Sequence, residues 1–430
     1  MSDEDTFMMG NEAVAARVLP SGTKVLCETI KSARSVSLGV WLPVGSRNDP
    51  QRKEGISHFI EHLFFKGTEN RTARQISEEI DSVGGQLNAF TAKEHTCVYA
   101  KVLDDDFSVA AGILKDMVTN STFEARNIEL ERGVILDEIA TYEDAPDELV
   151  LDLLESVIWD DHPMGRPILG CQDAVSSIRE RDIRDHFRAY YGSNDVLVTA
   201  CGNISIDRVV DELGEGLSLL GRHDRLPVPP VRSACKKATR VRAKQVEQIH
   251  FCLGAPGLKA RDPRQYTMHV LNGVLGGGAS SRLFQRVREE KGLAYSIYSF
   301  HSSYRDTGVF GVYAASNPHS AKSVKAILEE EMAHLGALPA SEAEIERARR
   351  QLKGSLILGL EGTSGRMMRL ARSELLLGRV VPLQEVIKSI EAVESLDVME
   401  LAREILNPAR ISTVAVGAEA DQVERTLGIG

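Results

Sequence analysis

The sequence has no C-x-x-C pair, no apolar run of bilayer length, no excess of positive charge and no basic, apolar leader at its start. Each absence removes a class of function. The six cysteines, Cys27, Cys97, Cys171, Cys201, Cys235 and Cys252, are scattered. They read as small core residues of a reducing compartment and exclude a disulfide framework or a cysteine zinc site. Without an apolar stretch long enough to span a bilayer, no membrane role is expected. The net charge of −11 argues against nucleic acid as the main partner. The opening Met1-Ser2-Asp3-Glu4-Asp5 is acidic, unlike a secretion signal or an Arg-rich presequence, so the expectation is a cytoplasmic bacterial protein. What remains is ordinary for a globular chain: 430 residues, 43% apolar and 26% charged, enough for two or more domains with large cores.

One short segment departs from the ordinary. His58-Phe59-Ile60-Glu61-His62 puts two imidazoles four residues apart, so on a helix both face one way and reach one metal ion. Glu61 sits beside them, placed to take a proton from water. The order is H-x-x-E-H, the reverse of the commoner H-E-x-x-H zinc-protease motif. A histidine on an apolar helix is ordinarily a core residue satisfied by a backbone carbonyl. Here Ile56, Phe59, Ile60, Leu63 and Phe64 make the surroundings apolar, and three ionisable groups among them would be costly to bury without a shared cation. Zinc suits such ligands, and a catalytic zinc takes three protein ligands plus water.

A third ligand is therefore needed. The segment from Glu124 to Tyr142 reads as a long helix, apolar at Ile128, Val134, Ile135 and Ile139. Glu131 and Glu138 are seven apart and share a face, so one can bind metal while the other orients a ligating histidine. A solvated acidic face would look the same. Spacing does not choose among Glu131, Asp137 and Glu138.

The chain also repeats itself. Val36, Leu38, Val40 and Leu42 alternate, then a loop ends at Asp49-Pro50, the motif helix follows, and Gly67 closes it. Ile249, Phe251 and Leu253 alternate, a loop ends at Asp262-Pro263, and a helix from Gln265 runs to Gly276-Gly277-Gly278. Aligning the glycine turns sets His58 opposite Met268, Glu61 opposite Leu271, and His62 opposite Asn272. The counterpart of the distal acidic helix runs from Glu342 to Glu361, with Ser355 near the place of Glu138. The second half thus keeps the scaffold and drops the metal set. A proline-rich passage around Pro227-Val228-Pro229-Pro230 and the basic run Lys236 to Lys244 read as a solvated linker. The expected fold is α+β: two homologous domains, 1–222 and 245–430, each a largely antiparallel sheet covered by helices, joined by a linker over 223–244.

Several other segments have a plain reading. Gly84-Gly85 followed by Gln86 to Thr96 is a glycine cap and a polar edge strand. Arg288-Glu289-Glu290-Lys291-Gly292-Leu293-Ala294-Tyr295 is a charged helix end capped by glycine. The triple glycine at 276–278 lacks the Gly-Lys-Ser/Thr ending of a phosphate loop. His95 and His162 are given no ligand role.

The residues His58-Phe59-Ile60-Glu61-His62, followed by Glu131-Arg132-x-Val134-Ile135-Leu136-x-Glu138, resemble the inverted zincins of the pitrilysin type, in the branch of the mitochondrial processing peptidases and their bacterial relatives. The resemblance spans nearly the whole chain. It implies that His58, His62 and Glu138 ligate one zinc per chain, that Glu61 is the general base, and that Glu131 supports the site. It implies that the strand after Gly85 pairs with an extended peptide, with Asn88 and Ala89 as the contacts. It implies that Arg288 and Tyr295 bind the substrate carbonyl and stabilise the oxyanion. Because both sets lie in one chain, a homodimer is expected rather than an obligate heterodimer. The function implied is a zinc endopeptidase for unfolded polypeptides or, more narrowly, for presequences. The competing reading is a non-catalytic assembly subunit of the same fold, against which the intact ligand set speaks.

Overall fold

The strand Ser35–Leu42 is buried along nearly its whole length, although Trp41 is the one large apolar side chain on the face opposite Val36, Leu38, Val40 and Leu42. The computed structural model, which describes residues 5–9, 12–221, 228–231 and 237–429, accounts for this. The chain forms two compact units, 1–139 with 167–229 and 357–384, and 140–166 with 230–356 and 385–430.

The first unit is built on β1 (Asp5–Met9), β2 (Glu12–Val18), β3 (Lys24–Thr29), β4 (Ser35–Leu42), β5 (Gln86–Thr91), β6 (Thr96–Leu103) and β7 (Leu197–Gly202). Their order is β1-β2-β3-β7-β4-β6-β5. All neighbours are antiparallel except β3 and β7. Val36, Leu38, Val40 and Leu42 face one core, shared with the helices Ile56–Phe64 and Phe107–Asn120. The opposite face, with Ser37, Gly39 and Trp41, is covered by the helix Thr363–Leu377. Ser37 Oγ lies 2.9 Å from Thr363 Oγ1, and a Cβ on Gly39 would meet Met367 Sδ at 3.2 Å. The small residues Ser37 and Gly39 on that face let the helix settle close, and Trp41 packs into the same core as Met367 and Leu370.

The second unit has β8 (Thr239–Ala243), β9 (Ile249–Pro256), β10 (Ser296–Ser303), β11 (Gly308–Ser316) and β12 (Ser412–Gly417), in the order β10-β11-β9-β12-β8. Only β12 and β8 run parallel. Phe251, Leu253 and Ala255 face one core. Cys252 faces another, closed by the helix Pro146–Trp159, whose Leu154 lies 2.7 Å from where a Cβ on Gly254 would stand. The block β8-β12-β9-β11-β10 repeats β3-β7-β4-β6-β5 in order and strand sense, so the internal repeat is real. Each unit is a largely antiparallel sheet with helices on it.

The units do not follow the division expected from sequence, because the helices Pro146–Trp159 and Thr363–Leu377 each belong with the other half's sheet. Of the linker expected over 223–244, residues 222–227 and 232–236, with Cys235, lie outside the described residues. Residues 239–243 are not a linker but the edge strand β8, with a mostly exposed surface. Its arginines meet the first half's crossing segment: Arg240 donates to Ser156 Oγ at 3.0 Å and Arg242 pairs with Glu143. Charge along an edge strand discourages further pairing. Among the described residues no helix is long and apolar enough to cross a membrane, and Cys27, Cys97, Cys171, Cys201 and Cys252 are free thiols.

Candidate metal centre

The motif helix Ile56–Phe64 begins at Gly55, which has φ +92°. A Cβ there would stand 2.4 Å from the Leu169 carbonyl oxygen. Gly55→Ala is therefore expected to lower the unfolding free energy by about 1–3 kcal/mol, from the left-handed backbone alone. Chemical denaturation checks this, and an unchanged midpoint would contradict it. From this start Ile56, Phe59, Ile60, Leu63 and Phe64 pack into the core. His58 and His62 lie one turn apart, with ring centroids 4.6 Å apart.

The helix Ala125–Glu143 brings its acids to these rings. Glu138 Oε2 lies 3.8 Å from His58 Nε2 and 3.5 Å from His62 Nε2. Glu131 Oε2 lies 3.2 Å from the other nitrogen of His62, Nδ1, and Glu131 Oε1 pairs with Lys66 at 2.7 Å. The two glutamates seven residues apart thus approach His62 from its two nitrogens, and Asp137 joins neither contact. His58, His62 and Glu138 each offer a ligand atom within 4.8 Å of the others. Two imidazoles and a carboxylate are the donor set of a catalytic zinc site, with a fourth position left for water or substrate.

The charges are arranged to suit a cation. Burial, joined by the like charge of His62, holds His58 down at about 4, so its imidazole is neutral and its lone pair is available near neutral pH. Burial also acts to lower His62, but hydrogen bonds to Glu138 and Glu131 outweigh it and the group is raised. The hydrogen bond to His62 is the main reason Glu138 is lowered.

Glu61 stands apart from the ligand trio. Its Oε2 is buried without a hydrogen-bond partner among the described residues, while Thr91 bonds the carboxylate from its side chain and backbone. Burial raises the Glu61 pKa against those bonds. A carboxylate so placed is ready to take up and return a proton. Thr91 ends β5, the outermost strand of its sheet. On the same strand Asn88 is exposed, and its Oδ1 accepts from the Ala89 N–H at 2.8 Å. A cavity of about 500 Å³ opens beside it, lined among others by Phe65, Ile80, Leu87, Asn88 and Tyr99.

Arg288 and Tyr295 belong to the second unit. Arg288 lies in a π-helical segment, Phe284–Glu289, and the chain turns at Gly292, with φ +60°. The Arg288 guanidinium carbon sits 4.8 Å over both the Phe284 and Tyr295 rings, and Tyr295 is 77% exposed. Among the described residues no carboxylate pairs with Arg288. With Gln248, Ser316 and Asn317 the two line a cavity of about 300 Å³. In the repeat's metal position, Met268 and Leu271 are buried, so apolar packing replaces ligand chemistry there. His162 bonds the Met164 N–H, and His95 packs on Trp41 and Phe90.

Sequence reasoning missed Thr91 and Lys66. Lys66 is four residues beyond His62, a helical spacing that marks it as a neighbour. Thr91 carries no sequence signal, because only the packing of β5 against the motif helix brings it to Glu61.

Comparison with known proteins completes the picture. The profile of the insulinase family, peptidase family M16, matches residues 24–172, and that of the M16 inactive domain matches 177–352. A protein of Bacillus subtilis named as a zinc protease is 41% identical over 90% of this chain and 94% of its own length. One from Streptomyces coelicolor, named likewise, is 40% identical over 96% of this chain and 91% of its own. A probable mitochondrial-processing peptidase subunit beta of Arabidopsis thaliana is 34% identical over 94% of this chain and 78% of its own. In fold, the chain is similar to a solved protease from Helicobacter pylori, with TM-score 0.88 and 21% identity over 97% of this chain and all of that one.

Proposed function

The chain belongs to the M16 (insulinase) family of peptidases, and on that premise we propose that it is a zinc-dependent endopeptidase acting on unfolded peptides or presequence-like segments. The observation that carries the reading is the convergence of ligand atoms from His58, His62 and Glu138 within 4.8 Å of one another. These three hold one zinc ion per chain. Bound there, zinc supplies Lewis acidity toward water and the scissile carbonyl.

The chain's own groups do the rest. Glu131 fixes the ring of His62 through Nδ1. Glu61 accepts a proton from the attacking water and delivers it to the leaving amine. Asn88 and Ala89, at the outer edge of β5, bind the peptide backbone by strand addition, which tolerates many sequences. Arg288 and Tyr295 donate to the carbonyl oxygen as it gains charge. Tyr295→Phe is expected to lower kcat/KM by at most about 10²-fold on every substrate, with zinc content unchanged. Steady-state kinetics with metal analysis checks this, and an undiminished kcat/KM would remove Tyr295 from the machinery.

With both residue sets in one chain, the working form is a cytoplasmic homodimer. The direct test of function is cleavage of a quenched, unstructured basic peptide with and without chelator. Cleavage abolished by chelator and restored by zinc supports the peptidase. A folded, zinc-loaded protein that cleaves nothing in a broad peptide survey would favour a non-catalytic assembly role.

A further inference from the structure

Holding zinc in this way requires two imidazoles aimed at one point, and the two are aimed by different means. His62 is turned by Glu131, 3.2 Å from its Nδ1. His58 has no such partner, since its Nδ1 is buried and unbonded among the described residues. The aim of its Nε2 depends on where the first turn of the helix puts its backbone.

That turn has an anchor from outside the helix. The N-terminal amides of a helix need acceptors, ordinarily supplied by the side chain of the N-cap residue. Gly55, at the N-cap, has none. Asp49 substitutes from six residues upstream: its Oδ2 accepts from the Gly55 N–H at 2.7 Å. Its Oδ1 accepts from the Ser57 N–H at 3.3 Å and from the Ser57 hydroxyl at 2.6 Å. The Ser57 oxygen lies 3.1 Å from His186 Nε2. With the hydroxyl proton directed to Asp49, His186 is the donor, a neutral ring protonated at Nε2. The unbonded, buried Nδ1 of His186 agrees with that tautomer. The Asp49 side chain is 1% exposed and that of His186 2%. Burial pushes Asp49 up to about 7, against the hydrogen bonds from Ser57 and Gly55 that favour its charge. A carboxylate is costly in such a place, and a neutral residue would avoid the cost.

We propose that Asp49 is a positioning residue of the metal centre. Through Gly55 and Ser57 it fixes the first helical turn, so that His58, the next residue, presents Nε2 to the point it shares with His62 and Glu138. The proposal rests on the zinc reading and adds to it a residue that touches neither metal nor substrate.

Asp49→Asn tests it. The amide keeps one acceptor and turns an NH₂ group toward an amide N–H of the turn, so the turn shifts without a charge left unpaired. Zinc affinity is measured by competition with a chromophoric chelator, beside thermal unfolding of the zinc-free protein. The zinc Kd is expected to rise by about ten-fold, the low end for groups that orient a ligand. The zinc-free variant is expected to melt somewhat lower than wild type, because an NH₂ group facing an amide N–H leaves buried donors unsatisfied, a cost that the loss of a buried charge offsets only in part. A lower melting temperature with unchanged zinc Kd would overturn the proposal in favour of a purely structural role. Should Asp49→Asn not fold, Ser57→Ala removes the hydroxyl that ties Asp49 to the turn and keeps both amides. Its zinc Kd is expected to rise a few-fold, less than with Asp49 itself changed. An unchanged Kd in Ser57→Ala would overturn the proposal equally. A wild-type protein that takes up no zinc would overturn the zinc reading and this proposal with it, and is told apart because the failure precedes any substitution.

Discussion

Glu61→Gln is expected to keep its zinc and lose about 10²–10⁴-fold in kcat, the range supplied by a positioned general base. Glu61 lies outside the trio whose ligand atoms converge, so its loss leaves the donor set whole. Glutamine has nearly the same shape and can still bond Thr91, which holds the wild-type carboxylate. What it lacks is a site for the proton. Burial raises the pKa of Glu61 toward the working range of such a base, and its Oε2 has no competing hydrogen bond among the described residues. Metal analysis and single-turnover cleavage on one preparation check both halves. Turnover within about ten-fold of wild type would remove Glu61 from the role of base.

His58→Ala is expected to have the second large effect, in the opposite channel. Zinc content after dialysis should fall from about one per chain to near zero, and cleavage should fall to background with it. A catalytic zinc has three protein ligands, and two do not hold it. The variant should fold, because burial keeps His58 neutral and its removal strands no charge. His162→Ala is the matched control. That ring caps the Met164 N–H, far in role from any metal, and its loss should leave zinc content unchanged. Equal zinc in His58→Ala and wild type would contradict the ligand assignment.

Much of this site was legible in the sequence because helices write their faces into spacing. Two histidines four apart in an apolar segment, followed by a glycine turn, could only share a face. The same periodicity could not separate Glu131 from Glu138, since seven residues return a helix to one face. The structure separates them by which nitrogen of His62 each approaches. Thr91 and Asp49 were not legible at all. Thr91 depends on strand pairing, and Asp49 does a cap's work from a loop, outside any capping pattern.

At the level of fold, alternation in β4 and β9 marked the sheets, and the parallel order of the two five-strand blocks followed from the repeat. Which sheet a helix covers is not a local property. The helices Pro146–Trp159 and Thr363–Leu377 therefore gave no sign of joining the other half's sheet, beyond the small residues Gly254 and Gly39 that receive them. The strand β8 hid for another reason. With four of its five residues exposed and two of them arginines, it has the composition of a solvated linker. Its strand state comes from pairing with β12.

The most direct test of the central claim is a titration of zinc into metal-free protein, with peptide cleavage followed at each addition. One zinc held by His58, His62 and Glu138 predicts a linear rise that breaks at one equivalent per chain, absent in His58→Ala. A folded protein whose cleavage is indifferent to zinc, or which shows none at saturation, would contradict it.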